Sequence, residues 1–168
     1  SSYHTLLPTV DGVEQAPGFA HCASDVDYRS DKDAVRFSLD IASAYPPEAG
    51  IASWRRDVAL ERHEQVTVTD EYTLSADRTE LVVGFLTPCA VDIAEEGVVK
   101  LSARETATGL ESASGRVAYD AGVFGVSVET VETNDERLRE FWGDRLFRVV
   151  LTAVKPAKTG QLVYTITK

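Results

Sequence analysis

The chain has 168 residues, 43% of them hydrophobic and 26% charged, which is the composition of a soluble globular domain with enough length to bury its own core. It carries 27 acidic against 17 basic residues, a formal charge of -10. That excess excludes nucleic acid and unassisted binding to an anionic membrane, because both are held by clustered Lys and Arg. No apolar run reaches the ~20 residues that a membrane-crossing helix needs.

The first stretch, Ser1 to Gln15, gathers unusual residue types at loop-like spacing. Tyr3 and His4 stand side by side, an apolar run is broken by Pro8, and Asp11-Gly12 is a turn signal, since Gly takes a positive φ without steric penalty. A chain that opens inside such a motif reads as a fragment of something longer. Beyond it the dominant period is two. Phe19 to Tyr28 alternates weakly, and Ala34 to Ile41 alternates clearly, with Val35, Phe37, Leu39 and Ile41 on one face. Ala42 to Ser53, which holds Tyr45, Pro46, Pro47 and Gly50, reads as a loop because consecutive prolines cannot join a ladder.

Trp54 to Leu60 resumes the alternation and sets Arg56 among apolar neighbours, and Gln65 to Leu74 does the same with Asp70 interrupting its apolar face. A buried, unpaired guanidinium is too costly to tolerate, so Arg56 is expected to pair with a carboxylate such as Asp70. Glu80 to Leu86 is apolar on both faces, as for a strand amid two layers. Ala90 to Ile93 and Val98 to Ala103 form a hairpin around Glu95-Glu96-Gly97. Arg116 to Tyr119, Val126 to Val131, Arg145 to Ala153 and Gln161 to Ile166 complete the strands. Asn134 to Trp142 is the exception: Asn134 is placed to cap a short helix whose Leu138, Phe141 and Trp142 share a face, with Gly143 ending it. The pattern predicts one all-β domain over residues 1–168, an antiparallel two-layer sandwich with that one helix.

Chemistry-bearing residues are sparse. There is no phosphate-binding glycine loop, no nucleophile elbow and no EF-hand, and Asp25, Asp27, Asp31 and Asp33 read as a solvated acidic turn. Cys22 and Cys89 lack metal-site spacing and are read as free thiols in preference to a disulfide. His21 is read as structural and His63 as exposed, which leaves His4, beside Tyr3, as the candidate metal ligand; one histidine makes no complete site. Tyr45 is the candidate substrate contact, because rings on loops often meet ligands. Trp54 and Trp142 have the stacking chemistry of a sugar platform but stand in strand and helix contexts that favour the core.

Tyr3-His4-Thr5, then Val10-Asp11-Gly12 and Gln15, resembles the HN…V(N/D)G…Q segment of heparinase II/III-like polysaccharide lyases, a group that includes oligoalginate lyases. The likeness continues through Asp40-Ile41, Ala44-Tyr45, Trp54-x-Arg56-x-Val58 and Val66-x-Val68-x-Asp70-x-Tyr72, and ends with Asp135, Leu138, Trp142-Gly143 and Leu146-x-Arg148. The resemblance implies a two-part enzyme in which an N-terminal α/α toroid supplies most catalytic residues and a C-terminal β-sandwich, the part this chain is similar to, supports it. Such lyases remove the C5 proton of a uronate and eliminate the 4-linked sugar. It further implies that His4 is one ligand of a structural zinc whose other ligands lie upstream, that the fragment alone holds no cofactor, and that its partners are its own toroid and an acidic polysaccharide or oligosaccharide. Thr5 and Asp11 stand where that family favours Asn, so the substrate and the compartment stay unassigned. The rival expectation, from another class, is a non-catalytic carbohydrate-binding module.

Overall fold

The computed structural model describes residues 7–105, 109 and 111–168. Alternating sequences become strands almost throughout: β1 (Thr9–Val10), β2 (Ser24–Ser30), β3 (Ala34–Asp40), β4 (Ile51–Glu61), β5 (Gln65–Leu74), β6 (Leu81–Thr87), β7 (Val91–Asp92), β8 (Val98–Leu101), β9 (Gly115–Tyr119) and β10 (Phe124–Glu132). The helix α1 (Glu136–Trp142) follows, then β11 (Arg145–Ala153) and β12 (Thr159–Thr167). They form two antiparallel sheets, one ordered β1-β6-β11-β10 and one ordered β2-β3-β4-β5-β12-β9-β8-β7. This is the all-β sandwich with one short helix that the pattern predicts.

The two-residue period decides what lies between the layers. In β5 the buried residues are Val68, Asp70, Tyr72 and Leu74, and in β11 they are Val149, Leu151 and Ala153, so the inner faces meet along these positions. Trp54, Leu81, Val99, Val117, Val149 and Leu151 have no exposed surface, and full burial of each of the valines and leucines is worth roughly 1.5–3 kcal/mol. Trp54 and Tyr72, register partners across β4 and β5, stack with ring centroids 5.2 Å apart. Gly160 faces Tyr72 from β12, and a Cβ there would sit 2.6 Å from the tyrosine hydroxyl, so only glycine lets the chain pass over the ring.

Differences from the sequence reading have local causes. Ile51 to Ser53 belong to β4, because the loop is compressed into two single 3₁₀ turns, Ala42–Ala44 and Pro47–Ala49, the second ended by Gly50 at φ 62. The cap of α1 is Asp135 rather than Asn134: its extended backbone lets the carboxylate accept from the amides of Arg137 and Leu138. Phe141 and Trp142 remain 63% and 48% exposed, so the apolar stripe of this helix lacks the cover its spacing implies.

Candidate functional site

The segment that carries the first motif is fastened to the sandwich on two sides. Asp11 and Gly12 both have positive φ, 48 and 75, which is the two-residue turn that lets Val10 and Val13 exchange backbone hydrogen bonds of 3.3 and 2.9 Å. The Asp11 carboxylate reaches across to the β5–β6 connection, where its Oδ1 accepts from Thr79 N, Thr79 Oγ1 and Glu80 N at 2.9 Å each, with the Arg78 guanidinium 3.6 Å from Oδ2. The Glu80 and Thr79 hydrogen bonds outweigh desolvation and hold this carboxyl below its ordinary pKa. On the other side the Tyr45 hydroxyl donates to the Pro8 carbonyl at 2.5 Å, and Ala16 N donates to Ala44 O.

Tyr45 is therefore covered in this chain. Its side chain is part of the core, the residue is 6% exposed, and burial pushes its phenol pKa up. Tyr3 and His4 lie outside the described residues. Among the described residues no three His, Cys, Asp or Glu side chains come together in a way that could hold a metal ion. His63 sits at the exposed β4–β5 turn, and the thiols of Cys22 and Cys89 are both free. The acidic turn closes β2 to β3, with Asp31 Oδ1 accepting from Asp33 N and Ala34 N at 2.8 Å.

The charged pair expected inside the sandwich is present. Arg56 Nε donates to Asp70 Oδ1 at 2.8 Å and its terminal nitrogen to Oδ2 at 2.7 Å, a two-point pairing. Trp54 Nε1 adds a third bond to Oδ1 at 2.9 Å, and Asp70 has no exposed surface. Burial opposes the charge on Arg56, but the hydrogen bonds and charge of Asp70 prevail and raise its pKa. Trp54 is thereby committed to the core and offers no stacking face. The residues that carried the resemblance, Asp11, Tyr45, Trp54, Arg56, Asp70 and Tyr72, thus form a framework that fixes the N-terminal segment and the sheet beneath it.

A hollow of about 420 Å³ opens beside this segment, between Thr9, Glu14 and Glu80 on one side and Ser127, Glu129 and Arg148 of the four-stranded sheet on the other. Three carboxylates and one guanidinium line it, and Arg148 is already paired with Glu129 at 2.8 Å. Such a wall repels a polyanion unless cationic groups from elsewhere complete it. Sequence reasoning missed the hollow because strand register alone brings Thr9, Glu80, Ser127 and Arg148, which are distant in sequence, to one place.

No family model matches the sequence, and no curated protein matches it. The fold has clear matches among solved structures. The heparan sulfate lyase HepC from Pedobacter heparinus superposes with a TM-score of 0.68 over 96% of this chain at 13% identity. A heparinase III gene product gives 0.65 at 12% identity and another heparinase III 0.55 at 11%, again over 96% of this chain. The chain spans 22–23% of the length of these proteins. What is shared is the β-sandwich fold.

Proposed function

We propose that this chain is the β-sandwich region of a heparinase II/III-like polysaccharide lyase, related distantly to those structures, and that it supports a catalytic toroid carried by the same polypeptide. One observation carries the reading: nearly the whole chain, 96%, overlays one region of these lyases while accounting for less than a quarter of them. The ordered motifs agree with it. In this reading the elimination belongs to toroid side chains, and the sandwich forms one wall of the cleft. His4 would supply one ligand of a structural zinc whose partners lie upstream. The clamp of Asp11 and Tyr45 would set where that histidine stands, and this is the role we give Tyr45.

The test compares the full-length parent with residues 1–168 on heparin, heparan sulfate and alginate oligomers, reading the ultraviolet absorbance of the unsaturated uronate product. The parent is expected to be active and the fragment silent; product formed by the fragment alone refutes the assignment. A carbohydrate-binding module would instead give a saturable change in tryptophan fluorescence with the same oligomers, lost in Trp142→Ala, whose ring is the exposed one of the two.

A further inference from the structure

The four-stranded sheet has a second face that the core does not use. Because Leu81 and Val83 of β6 and Val149 and Leu151 of β11 point inward, Leu86 and Leu146 point outward, and Val131 of β10 stands opposite Leu146. Helix α1 leans over this end of the sheet. Between them lies a groove of about 310 Å³, walled by Leu86, Val131, Leu138, Trp142 and Leu146. Beside the exposed Glu132, one buried polar side chain, Thr133, joins the lining. It is 6% exposed, and its hydroxyl is buried without any hydrogen-bond partner. Buried hydroxyls nearly always find a partner, so an orphan in an apolar groove marks where one is to arrive.

We propose that this groove is the socket for one aromatic side chain with a polar tip, a tyrosine or tryptophan, from the part of the same polypeptide that lies outside this region; the proposal rests on the lyase reading above. The occupant's chemistry follows from the lining. An apolar body satisfies Leu86, Leu138 and Leu146, and a hydroxyl or indole N–H reaches Thr133 Oγ1. The volume lies at the lower limit for small-molecule sites, and aromatic side chains are the commonest anchors in desolvated pockets at protein interfaces. The occupant's source follows from length, because the fold relatives keep more than three-quarters of their chain outside the matched region. The opposite outer face, on the eight-stranded sheet, carries a hollow of the same size, about 310 Å³, but Arg55, Glu71, Thr73 and Gln161 line it. That face presents Thr67, Thr69, Thr73 and Thr165, with Gln161 donating to Glu71.

The test uses the full-length parent with Cys22→Ser, Cys89→Ser and any other thiols removed, carrying either Leu146→Cys in the groove or Thr69→Cys on the opposite face. Maleimide labelling of the groove cysteine is expected to be at least about tenfold slower than that of the other, at any protein concentration. Equal rates overturn the proposal. Protection that appears only as concentration rises overturns it too, since the cover is then a second copy. Thr133→Val gives an independent readout: it lowers the parent's unfolding midpoint if the hydroxyl is bonded to the incoming side chain, and a neutral or raised midpoint refutes the bond. A parent without a helical toroid would sink the lyase reading, while the labelling rates would still decide whether the groove is covered.

Discussion

The two sheets show opposite characters on their outer faces. The eight-stranded sheet turns outward a lattice of threonines, with Thr67 and Thr165 3.4 Å apart across β5 and β12 and Ser38 donating to Asp57 between β3 and β4. The four-stranded sheet turns outward Val82, Leu86, Val131, Leu146 and Val150, interrupted by Ser127, Glu129, Arg148 and Thr152. Alternation of apolar and polar residues marks a sheet with one wet face, whereas strands apolar on both faces belong to sheets covered on both sides. The outer face of the first sheet fits the former description, and the second comes nearer the latter at Val82, Leu86, Val131, Leu146 and Val150. Each prediction below tests whether that contrast is energetic as well as compositional.

The largest effect is expected inside the eight-stranded sheet. Asp70→Ala removes the carboxylate that the Arg56 guanidinium and the Trp54 indole share, and breaking such a buried pair is expected to cost about 3–5 kcal/mol. Urea denaturation of the variant measures it. Asp70→Asn, which keeps an acceptor for Trp54, should lose less, and Arg56→Met with Asp70→Leu should recover most of the loss. If the double variant is no better than Asp70→Ala, charge pairing is not what the sheet needs there.

Next comes the strip that borders the four-stranded sheet. Asp11→Ala removes the acceptor for three donors, whereas Asp11→Asn keeps a carbonyl oxygen in the same place and loses only the weaker approach of Arg78. The expected order of thermal midpoints is wild type, then Asn, then Ala. The pH dependence follows from the same bonds. Because the folded pKa of Asp11 lies below its ordinary value, its contribution is present above about pH 4 and fades as pH falls through the folded value. Asp11→Asn should therefore flatten the stability curve below about pH 4 and lower its plateau at neutral pH, so that the two proteins converge in acid. An unchanged acid slope would deny the clamp its electrostatic part.

The sequence made the strands legible wherever side chains alternate. Gln65–Leu74 and Arg145–Ala153 have the bounds that their periodicity predicts, and the Arg56 to Asp70 pairing was readable because a guanidinium on an apolar face demands a carboxylate. The apolar run through Leu86 was legible as a strand with two buried faces, but nothing in it says that one of those faces lies outside the core, with only one end under α1. The fate of Tyr45 was hidden because loop residues give no period, and its burial depends on two 3₁₀ turns folding it onto Pro8. The groove was hidden for another reason. Leu86, Val131, Thr133 and Leu146 become neighbours only through the order β6-β11-β10, which local pattern does not encode.

A smaller effect is expected at the roof of the groove. Asp135 caps α1 through the amides of Arg137 and Leu138, and removing a cap of this kind costs about 1 kcal/mol. Asp135→Ala should fray the helix and speed hydrogen exchange at Arg139 to Trp142 while leaving β5 and β12 unaffected. Exchange that accelerates in both sheets would mean the helix is coupled to the whole sandwich, and the outer faces would then not behave as separate surfaces.

The smallest effect sharpens the contrast most. Arg148 and Glu129 pair across β11 and β10 on the outer face of the four-stranded sheet, with side chains 26% and 53% exposed. Water at that exposure screens the pair, so Glu129→Gln in residues 1–168 should cost no more than about 0.5 kcal/mol, and less as salt is added. A comparable substitution on the threonine face, Glu71→Gln beside Gln161, should be equally mild. The two are expected to diverge in the parent. If a partner covers the four-stranded sheet, the Arg148 pair loses its water and its Coulomb attraction strengthens, so Glu129→Gln becomes the more damaging of the two, while Glu71→Gln stays as it was. Equal values in both contexts would show that the apolar outer face remains as wet as the threonine one.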